Sequence, residues 1–102
     1  MLPETTEEQR AAALARAAEA RRTRAEIKEL LKTGSLHFSE VLERAEEDDL
    51  VAGTKIHAII VSLPGMGKVA TKRLMEEIGI AENRTIRGLG SNQRAALLER
   101  FG

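Results

Sequence analysis

Apolar and polar positions divide this chain into helical segments of very different kinds. From Thr6 to Lys32 the sequence is dominated by Ala, Arg, Glu, Lys and Leu, residues of high intrinsic helix propensity. Thr5-x-x-Glu8 reads as a capping box behind Pro3, and Thr33-Gly34 supplies a stop, so one helix is predicted over about 6–32. At 1.5 Å per residue it would be ~40 Å long. Its first half offers Leu14 among alanines, whereas its second half carries Ile27, Leu30 and Leu31. The second half is therefore expected to dock on a core and the first half to project from it.

Shorter segments follow. Ser39–Ala45 is predicted as a helix facing Phe38, Val41, Leu42 and Ala45 inward, ended by the acidic run Glu46-Glu47-Asp48-Asp49, read as solvated loop. Gly53-Thr54 is expected to open a helix over roughly 54–62, with Ile56, Ile59, Ile60 and Leu63 at helical spacing and Pro64 closing it. After Pro64-Gly65-Met66-Gly67 comes a helix with Val69, Leu74, Met75 and Ile78 as apolar positions and Gly79 as C-cap. After Gly88-Leu89-Gly90, Ser91 is expected to N-cap a last helix to about Phe101. No segment alternates at period two. The chain is thus predicted to be all-α, a long N-terminal helix (1–33, an arm) on a compact helical core (34–102).

Composition narrows the chemistry. Hydrophobic residues make up 42% of the 102 residues but aromatics only 2%, so the core must be aliphatic and base stacking on an aromatic platform is poorly supported. Cysteine is absent, which removes disulfides, thiolate metal sites and cysteine nucleophiles. His37 and His57 lie twenty residues apart without ligand-like spacing, so no metal site is expected. No Ser–His–acid order and no carboxylate pair accompanies either glycine turn; no catalytic residue, enzyme activity or cofactor is predicted. No apolar run approaches the ~20 residues needed to cross a bilayer. With no signal-peptide pattern at its start, the chain is expected in the cytoplasm.

The formal net charge is zero, but its distribution is uneven. Residues 1–33 hold seven Lys/Arg against six Asp/Glu, residues 34–54 one against six, and residues 55–102 eight against four. A polyanion senses local charge, because screening sets in within ~8–10 Å at physiological salt. The basic C-terminal half contains a repeated feature, Gly-x-Gly, a polar or basic residue, then a helix start: Gly65-Met66-Gly67-Lys68 and Gly88-Leu89-Gly90-Ser91, the second preceded by Arg84 and Arg87. Glycine lets backbone turn tightly and approach a ligand, and a helix N-terminus presents unpaired N–H groups and positive potential. Both suit phosphate. The first turn lacks the four-residue spacing of a Walker loop, so nucleotide hydrolysis is weakly supported. The plainer alternative is that both turns only join helices. Arg10, Arg21, Arg24, Lys28 and Lys32 share one face of the long helix. They form either a solvated face with local pairs such as Arg22–Glu26 or a second, weaker surface for the same polyanion.

These residues together resemble the actinobacterial integration host factors over nearly the whole chain. The resemblance is carried by Gln9-Arg10-Ala11-Ala12-Ala13-Leu14, Ala20-Arg21-Arg22-Thr23-Arg24-Ala25-Glu26, Leu63-Pro64-Gly65-Met66-Gly67-Lys68-Val69, and Arg87-Gly88-Leu89-Gly90-Ser91-Asn92-Gln93 with the ending Leu98-Glu99-Arg100-Phe101-Gly102. It implies a helix–two-turns–helix module, of a kind also found in a small-subunit ribosomal protein and in some base-excision glycosylases. It implies a nucleoid-associated protein that binds duplex DNA through phosphates and the minor groove with little sequence preference. Such a protein bends or compacts DNA, affects supercoiling and assists site-specific recombination, with a phage-type integrase complex as a further partner. By the same resemblance, Gly65, Gly67 and Lys68 would cradle one strand's phosphates. Arg84, Arg87, Gly88, Gly90, Ser91, Asn92 and Arg94 would serve the other turn. Relatives are expected to be more basic where this chain has Thr85, a difference that bears on affinity more than on binding mode.

Two other functions fit parts of the pattern. An RNA- or ribosome-binding protein would use a similar module but normally carries a large positive excess, which is missing here. A helical adaptor would use the Ala-rich arm and the acidic middle. The arm has no heptad seam of large residues, so a monomer is expected.

Overall fold

The computed structural model describes residues 6–102 and contains six helices among them: α1 (Glu7–Lys32), α2 (Phe38–Glu47), α3 (Asp49–Ala52), α4 (Ile56–Val61), α5 (Lys68–Ile78) and α6 (Ser91–Phe101). The fold is all-α; one isolated antiparallel bridge, Lys55 with Thr85, is its single sheet-like contact among the described residues.

α1 opens on a capping box between Thr6 and Gln9. Thr6 Oγ1 accepts the Gln9 N–H at 3.1 Å, and Gln9 Oε1 accepts the Thr6 N–H at 2.9 Å. Pro3 and Thr5 of the expected signal lie outside the described residues. At the other end Gly34, with φ +77°, closes a Schellman turn: its N–H reaches Leu31 O at 3.1 Å and the Ser35 N–H reaches Leu30 O at 2.9 Å. Residues 6–17 are exposed, Leu14 included, while Ile27 and Leu31 are buried where α1 packs on α3 and α4. The last turns of α1 therefore belong to the core. Its 26 residues span about 39 Å, most of the molecule's 48 Å long axis.

The acidic run is not loop. Glu46 and Glu47 finish α2, Asp48 caps α3 by accepting the Leu50 N–H at 2.9 Å, and Asp49 is the first residue of α3. Thr54 does not open α4. It is buried behind α3, its hydroxyl donating to Leu50 O at 3.0 Å, and α4 begins two residues later at Ile56. Ile56, Ile59, Ile60 and Leu63 all enter the core, as their spacing predicts.

In α5 the apolar face is Thr71, Leu74, Met75 and Ile78, whereas Val69 is 71% exposed. Thr71 takes the buried position because its hydroxyl donates to Gly67 O at 2.8 Å. Gly79, at φ +84°, ends the helix as expected. Met66 and Met75 both pack on the core. Phe38 and Phe101, with ring centroids 5.8 Å apart and planes tilted by 52°, join α2 to α6. Every buried side-chain N or O among the described residues has a hydrogen-bond partner.

Candidate nucleic-acid interface

The first glycine turn is built by Pro64 and Gly65. Met66 N–H donates to Leu63 O at 3.1 Å, and Gly65 sits at φ +80°, so Leu63–Met66 has the form of a turn with Pro at its second position and a left-handed third position that favours glycine. Gly67 is different. At φ −112° and ψ 179° its backbone is open to any residue, and a Cβ built on it would meet nothing within 4 Å. Internal packing does not require glycine there. Gly67 is the N-cap of α5, and no side chain caps that helix. Its first-turn N–H groups therefore face outward beside exposed Lys68.

The second turn has a matching construction. Thr85 O accepts the Gly88 N–H at 3.0 Å and Ile86 O accepts the Leu89 N–H at 3.2 Å, giving two overlapping turns. A Cβ on Gly88 would lie 2.8 Å from Arg84 Cδ, because the Arg84 side chain wraps over the turn and donates from Nη1 to Gly88 O at 3.1 Å. Gly90, not Ser91, is the N-cap of α6, and Ser91 is the first helical residue. Again no side chain caps the helix, and a Cβ on Gly90 would find only ordinary contact with Gln93, at 3.5 Å. Gly90, Ser91 and Asn92 are exposed.

The segment leading into this turn is pinned from behind. Arg84 O accepts the Ile56 N–H at 2.9 Å, the Ile86 N–H donates to Thr54 O at 3.0 Å, and the Arg87 N–H donates to Ala52 O at 2.9 Å. Thr85 is half-buried within this pairing and bridges to Lys55. Gln93 holds the front: Oε1 accepts the Gly90 N–H at 2.9 Å while Nε2 donates to Gly79 O at 3.0 Å. The entrance to α6 is thereby clasped to the C-terminal end of α5, and the entrance to α5 lies at its other end. The 11 residues of α5 set these two features about 16 Å apart along its axis.

The arginines of the second turn are not free. Arg87 Nη2 donates to Asp49 Oδ1 at 3.0 Å, and Arg94 Nη1 lies 3.8 Å from Glu46 Oε1. Lys68 carries no such partner among the described residues. Lys72, one helical turn beyond Lys68, lines the same shallow hollow with His57 and was not singled out from the sequence, although its i+4 spacing from Lys68 was the available signal. Gln93 was likewise absent from the candidate residues.

Arg10, Arg21, Arg24 and Lys28 are all exposed along α1. Lys28 and Lys32 border a hollow over α4 that also includes His57, and Arg24 borders another with Lys55. Their stripe thus approaches the Lys68–Lys72 side through His57, while Arg87 and Arg94 face the acidic end of α2 and α3. The Arg22–Glu26 pair offered under the solvated-face alternative is not formed; the ion pairs among the described residues are the two at the second turn.

Helices joined by two glycine-lined turns, each leading into an uncapped helix entrance, define a helix–two-turns–helix domain, and residues 31–101 match the family described as "S13-like H2TH domain". The chain is 52% identical over 101 residues to the integration host factor of Streptomyces coelicolor, covering 99% of this chain and 94% of that one. It is 50% identical over 101 residues to the integration host factor of Mycobacterium tuberculosis, covering 99% and 96%. A solved structure described as "Structure of sIHF bound to an 8bp palindromic DNA" superposes with a TM-score of 0.82 at 48% identity, covering 86% of this chain and 99% of that chain. The chain belongs to the integration host factor family of actinobacteria. No helix among the described residues is long and apolar enough to cross a membrane.

Proposed function

We propose that this chain is an architectural, nucleoid-associated DNA-binding protein that grips the backbone of a duplex at two helix entrances and reads little sequence. The observation that carries this reading is the pair of uncapped N-termini at Gly67 and Gly90, where glycine is unnecessary for the fold but leaves room for a phosphate. Gly65, Gly67 and Lys68 serve one strand. Arg84, Arg87, Gly88, Gly90, Ser91, Asn92 and Arg94 serve the other. Backbone N–H donors and flexible cations fix register on phosphates without reading base edges, which accounts for low sequence preference. The identity to proteins named integration host factors, and the likeness to a solved relative bound to DNA, support the same reading.

Two helix entrances held at opposite ends of α5 suit both strands flanking a groove, and holding them favours a bent duplex. From this follow bending or compaction, an effect on supercoiling, and assistance to an integrase complex in site-specific recombination. The exposed N-terminal part of α1 serves as an arm whose last turns pack into the core, with Arg10, Arg21, Arg24 and Lys28 as a second, weaker DNA-contacting surface. The reading is one of binding without catalysis, by a monomer, in the cytoplasm.

The test is a gel-shift series on random-sequence linear duplex with structured RNA as competitor. Lys68→Glu and Arg87→Glu should each weaken binding at least tenfold, and duplex should outcompete RNA at equal salt. Wild-type affinity in both variants would remove this site, and preferential capture of RNA would transfer the function to that polymer.

A further inference from the structure

We propose that the acidic corner formed by the end of α2 and the start of α3 competes with phosphate for the arginines of the second turn. This rests on the DNA-binding reading above and adds a regulating element to it. Asp49 Oδ1 lies 3.0 Å from Arg87 Nη2, and Glu46 Oε1 lies 3.8 Å from Arg94 Nη1. Asp49 and Arg87 stand 38 residues apart in sequence, and both described ion pairs of the protein fall on this one turn. An Asp carboxylate and a DNA phosphate offer a guanidinium the same kind of acceptor oxygens. Each arginine must therefore leave its carboxylate, or share it, to take a phosphate.

The geometry favours exchange over fixed positioning. The pair is exposed, with 62% of the Arg87 side chain and 99% of the Asp49 side chain open to solvent, so it is weak and readily broken. The turn does not depend on it, because the Arg87 backbone N–H is held separately by Ala52 O at 2.9 Å. The two turns are thus unequal: Lys68 at the first forms no ion pair among the described residues, whereas Arg87 and Arg94 at the second each face a carboxylate. Asp49 lowers affinity at the second turn and eases release of the duplex.

The test is a fluorescence-anisotropy titration of one short duplex at a fixed, near-physiological salt concentration. It compares the wild type with Asp49→Asn, Asp48→Asn, Arg87→Gln and the Asp49→Asn/Arg87→Gln double variant. Asp48→Asn removes the same charge one residue away, keeps the oxygen that caps Leu50, and touches no arginine. Asp49→Asn should tighten binding about two- to fivefold, the range of an exposed pair. Asp48→Asn should gain less, and the Asp49→Asn gain should vanish when Arg87 is already Gln. Equal gains from both single Asp variants would mean a general field and overturn the proposal. So would a loss of affinity in Asp49→Asn, or a gain that survives Arg87→Gln. Those outcomes leave the DNA-binding reading standing as long as the wild type binds; a wild type without affinity removes both.

Discussion

At the scale of single residues, the glycines separate into those the fold needs and those it does not. Gly65 occupies φ +80°, so Gly65→Ala should cost roughly 1–2 kcal/mol of stability, read as a lowered thermal midpoint. Gly67 has ordinary angles and open space around it. Gly67→Asp should give a carboxylate cap to α5 and hold or slightly raise the thermal midpoint, since Asp is a better N-cap than Gly by roughly a few tenths of a kcal/mol. The same change should weaken duplex binding at least tenfold, because the side chain takes the N–H groups offered to phosphate and opposes its charge. A variant that is as stable as the wild type and binds DNA equally well would show that Gly67 has no part in the interface. Both glycine turns were legible in the sequence as phosphate candidates. Which glycine serves the turn and which serves the ligand was not, because that depends on φ and on the space around a missing Cβ.

At the scale of elements, what the sequence revealed followed from strong local signals. The stop at Thr33-Gly34, the C-cap at Gly79 and the Ile-rich spacing of α4 all matched the structure. Thr6-x-x-Gln9, beside the expected Thr5-x-x-Glu8, is a capping-box pattern overlooked in the sequence, and the geometry shows it formed. The single turn of α3 was hidden because an acidic run resembles solvated loop until Asp48 is seen capping it. Thr71 was passed over for Val69 because burial of a hydroxyl depends on a partner, here Gly67 O. Thr71→Val keeps the shape and removes that bond, so it should cost about 1 kcal/mol by urea unfolding; no loss would mean the hydroxyl contributes nothing to the α5 entrance. Gln93 clasps Gly90 to Gly79 across a sequence gap that no periodicity reports. Gln93→Ala should lower affinity for duplex severalfold while leaving its salt dependence unchanged, since no charge is lost. A changed salt dependence would contradict a purely positioning role.

At the scale of the whole molecule, a net charge of zero conceals a division between a basic C-terminal half and an acidic middle. The sequence exposed that division but not its consequence, which is that the acidic middle folds directly against Arg87 and Arg94. Binding should therefore be electrostatic yet moderate. Lys68, Arg84, Arg87 and Arg94 are four cations placed at the two turns, and each phosphate neutralised contributes about 0.9 to the slope of log affinity against log salt. The most direct measurement is the affinity of the full chain for one defined short duplex across a salt series. We expect tight binding in dilute buffer and a slope between about −2 and −4. A flat dependence, or no binding even at the lowest salt, would contradict the claim that these two helix entrances hold the DNA backbone.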